Sequence, residues 1–394
     1  MSRRTRLEVP LLDLKGQYAV IRDEVEEAIR RVLESQRFIL GPEVEALEHE
    51  IAEYCGVPFA IGCASGSDAL LLALIALGVQ AEDEVLCPAY TFFSTAGSVA
   101  RLGARPVFVD IDPATYNLDL ESARKAAAGC TRLKALIPVD LFGQACDLES
   151  LLSLAEELDV CIVEDAAQAI GAEDAQGQRC GSRGAVGCFS FFPSKNLGGY
   201  GDGGIITTRD PELAARIRAL RVHGAGPKYH HSMVGLNSRL DELQAAVLRV
   251  KLPHLGTWTA GRQANAARYD EAFRGAGARL SGEPEGTGRL RLAVPRPAQR
   301  GARHVYNQYV IRVPAAARNG LRDALLDQGI QTEIYYPLGL HEQACFSALG
   351  GARGDLRETE AAAAETLALP VYPELSPEQL EHVVRSVVAF LQSS

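Results

Sequence analysis

Six of the 394 residues are lysine, and only Lys195 sits among glycines, in CFSFFPSKNLGGYGDGG. An amine that follows an apolar run and precedes a glycine-rich turn can be stripped of water, which lowers its pKa and makes it nucleophilic toward an aldehyde. Taken alone, the motif reads more readily as that of a surface-loop lysine. Three other segments supply what such chemistry needs. VCIVEDAAQA closes an apolar run with Glu164 and Asp165, and Gln168 follows. A carboxylate such as Asp165 can stay ionised and pair with a protonated pyridine nitrogen, keeping the ring an electron sink; a helix-capping aspartate explains the residue as well. CASGSDALLLALIALG reads as strand, tight turn and helix, and the free amides and dipole of a helix start favour a phosphate. There Gly66 lets the backbone approach closely and Ser67 adds a hydroxyl, although a plain cap by Ser65 or Ser67 fits too. PAYTFFST offers Phe92 to stack on a flat ring, with core packing as the alternative for Tyr90, Phe92 and Phe93.

These residues fall at the joints of a repeating pattern. From about Phe59 to Leu220, short apolar runs (FAIGC, DEVLCPAY, RPVFVDI, LKALIPVDLFG, VCIVEDAAQ) alternate with helical stretches (SDALLLALIALG, STAGSVARLG, ESARKAAA, LESLLSLAEELD). Strands that are apolar throughout and separated by helices predict an α/β fold with a mostly parallel sheet covered on both faces. Ligands of such sheets bind beyond the carboxyl ends of the strands, where the unusual residues lie. Around Lys251–Gly261 the rhythm stops and a more irregular sequence follows, so residues 1–255 are read as a large domain and 256–394 as a small C-terminal α+β domain. Its expected strands are RHVYNQYVIRV and TEIYYP, and its expected helices RNGLRDALLDQG and SPEQLEHVVRSVVAFL. The last helix opens with a capping box of Ser376, Pro377 and Gln379, and the alanines 361–364 read as ordinary helix.

The bulk properties narrow the classes. A formal net charge of -10 argues against nucleic-acid binding, which relies on clustered lysine and arginine. No apolar run approaches the roughly 20 residues of a membrane helix, and the basic start lacks the apolar stretch of a signal peptide. The nine cysteines are scattered without a Cys-x-x-Cys, which suggests neither zinc nor a disulfide framework and fits a reducing cytoplasm.

Taken together and in order, SGSDAL, PAYTFFST, VEDAAQA, SFFPSKNLGGYGDGG and GLNSRLDELQAA closely resemble the DegT/DnrJ/EryC1/StrS sugar aminotransferases. The likeness runs from LLDLKGQY and RFILGPEVEALE near the start to YYPLGLHEQACF and LALPVYPELS near the end. It implies the type I transferase fold of enzymes that use pyridoxal 5′-phosphate (PLP), similar to aspartate aminotransferase, with a seven-stranded sheet. By resemblance, Lys195 carries PLP as a Schiff base and acts as general acid and base, Asp165 partners the pyridinium, and Gln168 lies near the phenolic oxygen. Gly66, Ser67 and Ser190 bind the phosphate, Phe92 stacks on the ring, and Asn237 reaches the phosphate of a neighbouring subunit, which implies a homodimer; a helix cap is the plainer role for Asn237. The implied reaction is ping-pong, with L-glutamate as amino donor.

Relatives acting on C4 of the sugar commonly carry a histidine three residues before the lysine and Glu-Gly-Gly downstream. Phe192 and Asp202-Gly203-Gly204 stand there instead, which resembles the branch acting on 3-keto sugars. The expected substrate is UDP-2-acetamido-3-keto-glucuronate, for surface polysaccharides such as a lipopolysaccharide O-antigen, with a TDP-3-keto-6-deoxyhexose second. Lys228, His230 and His231 are candidates for receiving a substrate carboxylate or diphosphate, or form a charged surface loop. Tyr306, Asn307 and His341 are candidates for the pocket wall, with core packing as the alternative for Tyr306. A related dehydratase would have histidine in place of Lys195, and a non-catalytic PLP-binding regulator is the other alternative. A dinucleotide-binding reading of GYGDGG fails because no strand-turn-helix with G-x-G-x-x-G accompanies it.

Overall fold

A computed structural model describes residues 7–226, 229–284, 286–298 and 300–393. The chain opens with α1 (Leu14–Ser35) and α2 (Pro42–Cys55), then alternates β1 (Phe59–Cys63), α3 (Gly66–Ala76), β2 (Glu84–Pro88), α4 (Ser94–Arg101), β3 (Arg105–Val109), α5 (Leu120–Ala127), β4 (Leu133–Leu136), α6 (Leu148–Leu158) and β5 (Cys161–Asp165). After β6 (Val186–Ser190) and β7 (Gly204–Thr208) come α7 (Pro211–Leu220), α8 (Glu242–Lys251) and α9 (Leu255–Gly275). The remainder is β8 (Arg279–Leu280), β9 (Ala293–Val294), β10 (Tyr309–Arg312), α10 (Ala315–Leu326), α11 (Arg357–Glu365), β11 (Thr366–Leu369) and α12 (Pro377–Ser393).

The strands make a seven-stranded sheet in the order β1-β7-β6-β5-β4-β2-β3. Only β7 opposes the rest, pairing antiparallel with both β1 and β6, so six carboxyl ends share one edge. The apolar strands are buried because helices cover both faces. One face packs against α3, α4 and α7, the other against α2 and α8, with α5 and α6 beyond. Helix α3 is apolar nearly all round after its first turn, so it has no polar face to turn to water there and is buried from Ala69 on apart from partly buried Ile75. Glu242 at the start of α8 is itself buried, and its carboxylate accepts from the amides of Gly41 (2.7 Å), Glu43 (2.9 Å) and Val44 (3.0 Å), fixing the first turn of α2.

A second sheet, β11-β10-β9-β8, forms the small C-terminal domain with α9, α10 and α12. Leu7, Val9 and Leu12 from the other end of the chain pack into its core. We propose that the division falls at residue 255, where α8 gives way to α9. The sequence past that point is not irregular but a 21-residue helix. Its apolar stripe is broken by buried polar residues, among them Arg262 and Asn265, which bond the carbonyls of Val371 (2.7 Å) and Tyr372 (2.8 Å) and so mask the helical period.

Two expected strands are shorter or absent. Only Tyr309–Arg312 of RHVYNQYVIRV is strand. The preceding backbone bonds the large domain instead, Arg303 with Glu173 in both directions and Val305 with Gly143. TEIYYP makes a single bridge, Glu333 to Ala368, because the Tyr335 carbonyl accepts from the Tyr90 hydroxyl rather than from a strand. The capping box forms as expected: Ser376 Oγ accepts from the Gln379 amide (3.2 Å) and Gln379 Oε1 from the Ser376 amide (3.1 Å).

Candidate functional site

The carboxyl ends of β1, β5 and β6 and the turn after β2 deliver Gly66 and Ser67, Asp165, Ser190 and Phe92 to one cavity of about 450 Å³. Lys195 and Gln168 complete the meeting. Lys195 lies in a coil after β6 whose first turn closes with the Lys195 amide bonded to the Phe192 carbonyl (2.9 Å). Burial strips water from its amine and lowers the pKa to about 8, against which the charge of Asp165 acts in the opposite sense.

Asp165 is buried, and burial pushes its carboxyl pKa up. Two hydrogen bonds work against that: the Thr95 hydroxyl donates to one carboxylate oxygen (2.8 Å) and the Ala167 amide to the other (3.3 Å). Each of the two opposite charges is thus destabilised by burial and favoured by the other, the balance expected of a site made for charged groups. Gln168 is fixed at both ends, accepting from the Phe142 amide (2.7 Å) and donating to the Tyr336 hydroxyl (3.1 Å).

At the far end of the cavity, α3 starts with Ser65 as cap, its side chain accepting from the Asp68 amide (3.1 Å). The remaining first-turn amides have no helical partner. The hydroxyls of Ser67 and Ser94 meet at 2.5 Å, and Ser190 stands opposite. A side chain at Gly66 would place its Cβ 2.7 Å from that of Ser190, so only glycine lets the helix start lie against the end of β6. Phe92, 55 % exposed, forms part of the wall with its ring 6.2 Å from that of Tyr336. Phe192 and Asp202 line the cavity as well.

The structure does not bring the other candidates to this cavity. Asn237 is exposed and pairs its backbone with Val222 in an isolated bridge, while its neighbour Ser238 bonds Asp68 (2.7 Å). His230 and His231 are exposed, and a ring nitrogen of His231 lies 3.0 Å from the His223 carbonyl. Lys228 lies outside the described residues. Tyr306 stacks on His304 with centroids 3.9 Å apart and packs against the small-domain core. Asn307 donates to Asn196 (2.7 Å), and buried His341 faces Glu360 (3.3 Å). Residues that the sequence reading passed over take part instead: Thr95, Ser94, Thr91, Gln308, Tyr335 and Tyr336. The paired tyrosines of TEIYYP and the hydroxyl at the start of α4 were the signals available for them. Among the described residues no cluster of three His, Cys, Asp or Glu could hold a metal ion, and the nine cysteines are all unpaired.

Comparison with known proteins gives the family of the chain. A profile described as the DegT/DnrJ/EryC1/StrS aminotransferase family matches residues 19–388. The chain is similar to the "Pleiotropic regulatory protein" of Geobacillus stearothermophilus, 48 % identical over 98 % of this chain and 99 % of the relative. It is 42 % identical to the UDP-N-acetyl-3-dehydro-alpha-D-glucosamine 3-aminotransferase of Acidithiobacillus ferrooxidans, over 95 % of this chain and 96 % of that protein. Identity is again 42 % to the UDP-2-acetamido-2-deoxy-3-oxo-D-glucuronate aminotransferase of Pseudomonas aeruginosa, over 93 % and 96 %. Among solved structures, S. venezuelae DesV in complex with a ketimine intermediate superposes with a TM-score of 0.90 at 40 % identity, covering 98 % of this chain and 99 % of that one.

If the cavity lowers the Lys195 pKa as its burial requires, the neutral, reactive amine accumulates as pH rises through about 8; an ordinary lysine, with a pKa of about 10.4, would do so far later. The rate at which an aldehyde adds to Lys195, followed against pH, should rise with a midpoint near the lower value. A midpoint in the ordinary lysine range would contradict the reading.

Proposed function

Because the chain belongs to the DegT/DnrJ/EryC1/StrS aminotransferase family and is a PLP-dependent sugar aminotransferase of the type I fold, we propose that it moves the amino group of L-glutamate to C3 of a nucleotide-linked 3-keto sugar. The sugar proposed is UDP-2-acetamido-3-keto-glucuronate, used for surface polysaccharide.

The residues present fit the cofactor. The α3 amides with Ser67 and Ser190 suit its phosphate, the Phe92 ring its flat face, the Asp165 carboxylate a pyridine nitrogen, and the Lys195 amine its aldehyde. When bound, PLP supplies an electron sink for charge developing beside the reacting nitrogen. The protein's own part is positioning and proton movement. Lys195 would hold the cofactor through its amine. Once released, Nζ, its pKa lowered to about 8, would be the base for the donor's α-proton and the acid that delivers the proton again before the half-reaction ends. The bonds from Thr95 and Ala167 favour the ionised form of Asp165 against its burial, and a protonated pyridine nitrogen would complete its neutralisation. Gln168, clamped at both ends, would hold its amide in place for the phenolic oxygen.

The observation that carries the choice of C3 is the cavity wall beside Lys195. Phe192 and Asp202 both line it, where relatives acting on C4 carry histidine and glutamate. Two relatives at 42 % identity are named for UDP-linked 3-keto sugars, one of them the glucuronate. Among the described residues no arginine, and no lysine besides Lys195, lines the cavity. A sugar carboxylate or diphosphate would therefore be received by the 223–237 loop of a second copy, which carries His230 and His231 and, in Asn237, a ligand for the phosphate. The active unit in this reading is a homodimer. A second reading, a TDP-3-keto-6-deoxyhexose, is favoured by the aromatic side of the cavity formed by Phe92, Phe192, Tyr335 and Tyr336, which would accommodate a methyl group.

The visible spectrum of the PLP-loaded protein separates these readings when UDP-2-acetamido-3-amino-glucuronate, a TDP-3-amino-6-deoxyhexose and a UDP-4-amino sugar are added in turn. The cofactor band should be lost with the first alone. Loss with another would replace the proposed sugar, and no change with any of them or with glutamate would favour a regulator like the Geobacillus relative's name implies. Asn237→Ala tests the dimer, since Asn237 does not reach its own cavity: PLP should wash out of the variant faster, and unchanged retention would argue against a shared site.

A further inference from the structure

A second lysine, buried more deeply than Lys195, bonds the coil that carries it. Lys251, the last residue of α8, is 1 % exposed, and among the described residues no carboxylate lies within ion-pair distance. Its Nζ donates to the Gly198 carbonyl (2.7 Å) and stands 4.4 Å from the centroid of the Tyr200 ring. Both partners belong to the coil that carries Lys195. A buried ammonium without a counter-ion is unfavourable, and burial lowers its pKa to about 8, so packing alone gives no reason for a lysine here.

The coil itself explains the need. Between Lys195 and β7 it runs NLGGYGDG, with glycines that let it fold back on itself. A Cβ at Gly198 would lie 2.3 Å from the Pro193 carbonyl oxygen, and the Gly199 amide bonds the Phe191 carbonyl (2.8 Å). So close a turn has few side chains with which to hold its own shape, and glycine is the residue with most conformational freedom to lose. The restraint comes from α8. Gln244 Oε1 accepts from the Tyr200 amide (2.7 Å), and Lys251, seven residues later on the same face of the helix, takes the Gly198 carbonyl. The Tyr200 ring is held in turn against Tyr18 of α1, edge to face at 6.0 Å.

We propose that Lys251 is a positioning residue for Lys195, its ammonium clamping the Gly198 carbonyl and the Tyr200 ring so that the glycine turn presents the Lys195 amine at a fixed place in the cavity. The inference rests on the proposed role of Lys195 and assigns Lys251 no contact with cofactor or substrate. Lys251→Met keeps the length of the side chain and removes the ammonium; Lys251→Arg keeps the charge. The visible band of PLP-loaded Lys251→Met, titrated with pH, should have a midpoint displaced from wild type. Its kcat should fall about tenfold with KM for the sugar little changed, since small misplacements of a reacting group are costly. Lys251→Arg should recover most of both. A variant that melts earlier but keeps the wild-type midpoint and kcat would overturn the proposal, leaving Lys251 a stabilising contact only. Should Lys251→Met fail to fold, Gln244→Leu frees the same turn from its other anchor and should displace the same midpoint, and an unmoved midpoint there would equally overturn it. A wild-type band that does not depend on Lys195 would instead refute the role of Lys195 itself.

Discussion

A buried carboxylate and a half-buried amine at the ends of adjacent strands are the constraint from which the rest of this structure follows. Asp165 ends β5, and Lys195 sits in the coil leaving β6, its neighbour in the sheet. Neither charge is comfortable out of water, so each has to be held. Thr95 must stand at the start of α4 to bond Asp165, which fixes how α4 docks on the sheet. The turn after Lys195 must be glycine-rich to fold so closely, and α8 must lie behind it to keep it in place. Helix α8 is secured in its turn by Glu242, whose buried carboxylate gathers three amides at the start of α2.

Much of this was legible in the sequence because it rests on local patterns. Strands apolar on both faces can belong only to a covered sheet, and the residues VEDAAQ, SGSDAL and SFFPSKNLGG stand at the strand ends where such sheets bind ligands. The structure brings Lys195, Asp165, Gln168, Gly66, Ser67, Ser190 and Phe92 to one cavity. What escaped the sequence reading depends on contacts between distant segments. TEIYYP has the composition of a strand, yet its backbone is claimed by Tyr90, far away in the chain. RHVYNQ is drawn off its sheet by bonds to Glu173 and Gly143. Helix α9 hid because buried Arg262 and Asn265 interrupt its apolar stripe. Tyr306 and His341 have residue types suited to a pocket wall, and in this chain both are engaged elsewhere, against His304 and Glu360.

The arrangement also shows how one scaffold serves relatives with different names. Asp165 and Ser190 sit on strand ends and Gly66 and Ser67 on a helix start, where the sheet fixes them. Other residues of the cavity wall, such as Phe192, Asp202, Tyr335 and Tyr336, lie outside the strands and helices, and such segments change without disturbing the core. A chain similar to both UDP- and TDP-sugar aminotransferases is the expected product of such a division.

The central claim is that Asp165 supplies the negative charge that keeps the bound ring an electron sink. Asp165→Asn preserves the shape and removes that charge, with the amide oxygen left to accept from Ala167 and the Thr95 hydroxyl able to turn and accept from the new NH2; the decisive quantity is kcat of the variant measured together with its bound PLP. With PLP still held through Lys195, kcat should fall on the order of 10²-fold or more, as when a preorganised electrostatic group is removed from an active site. A variant that retains PLP and near-normal kcat would contradict the account.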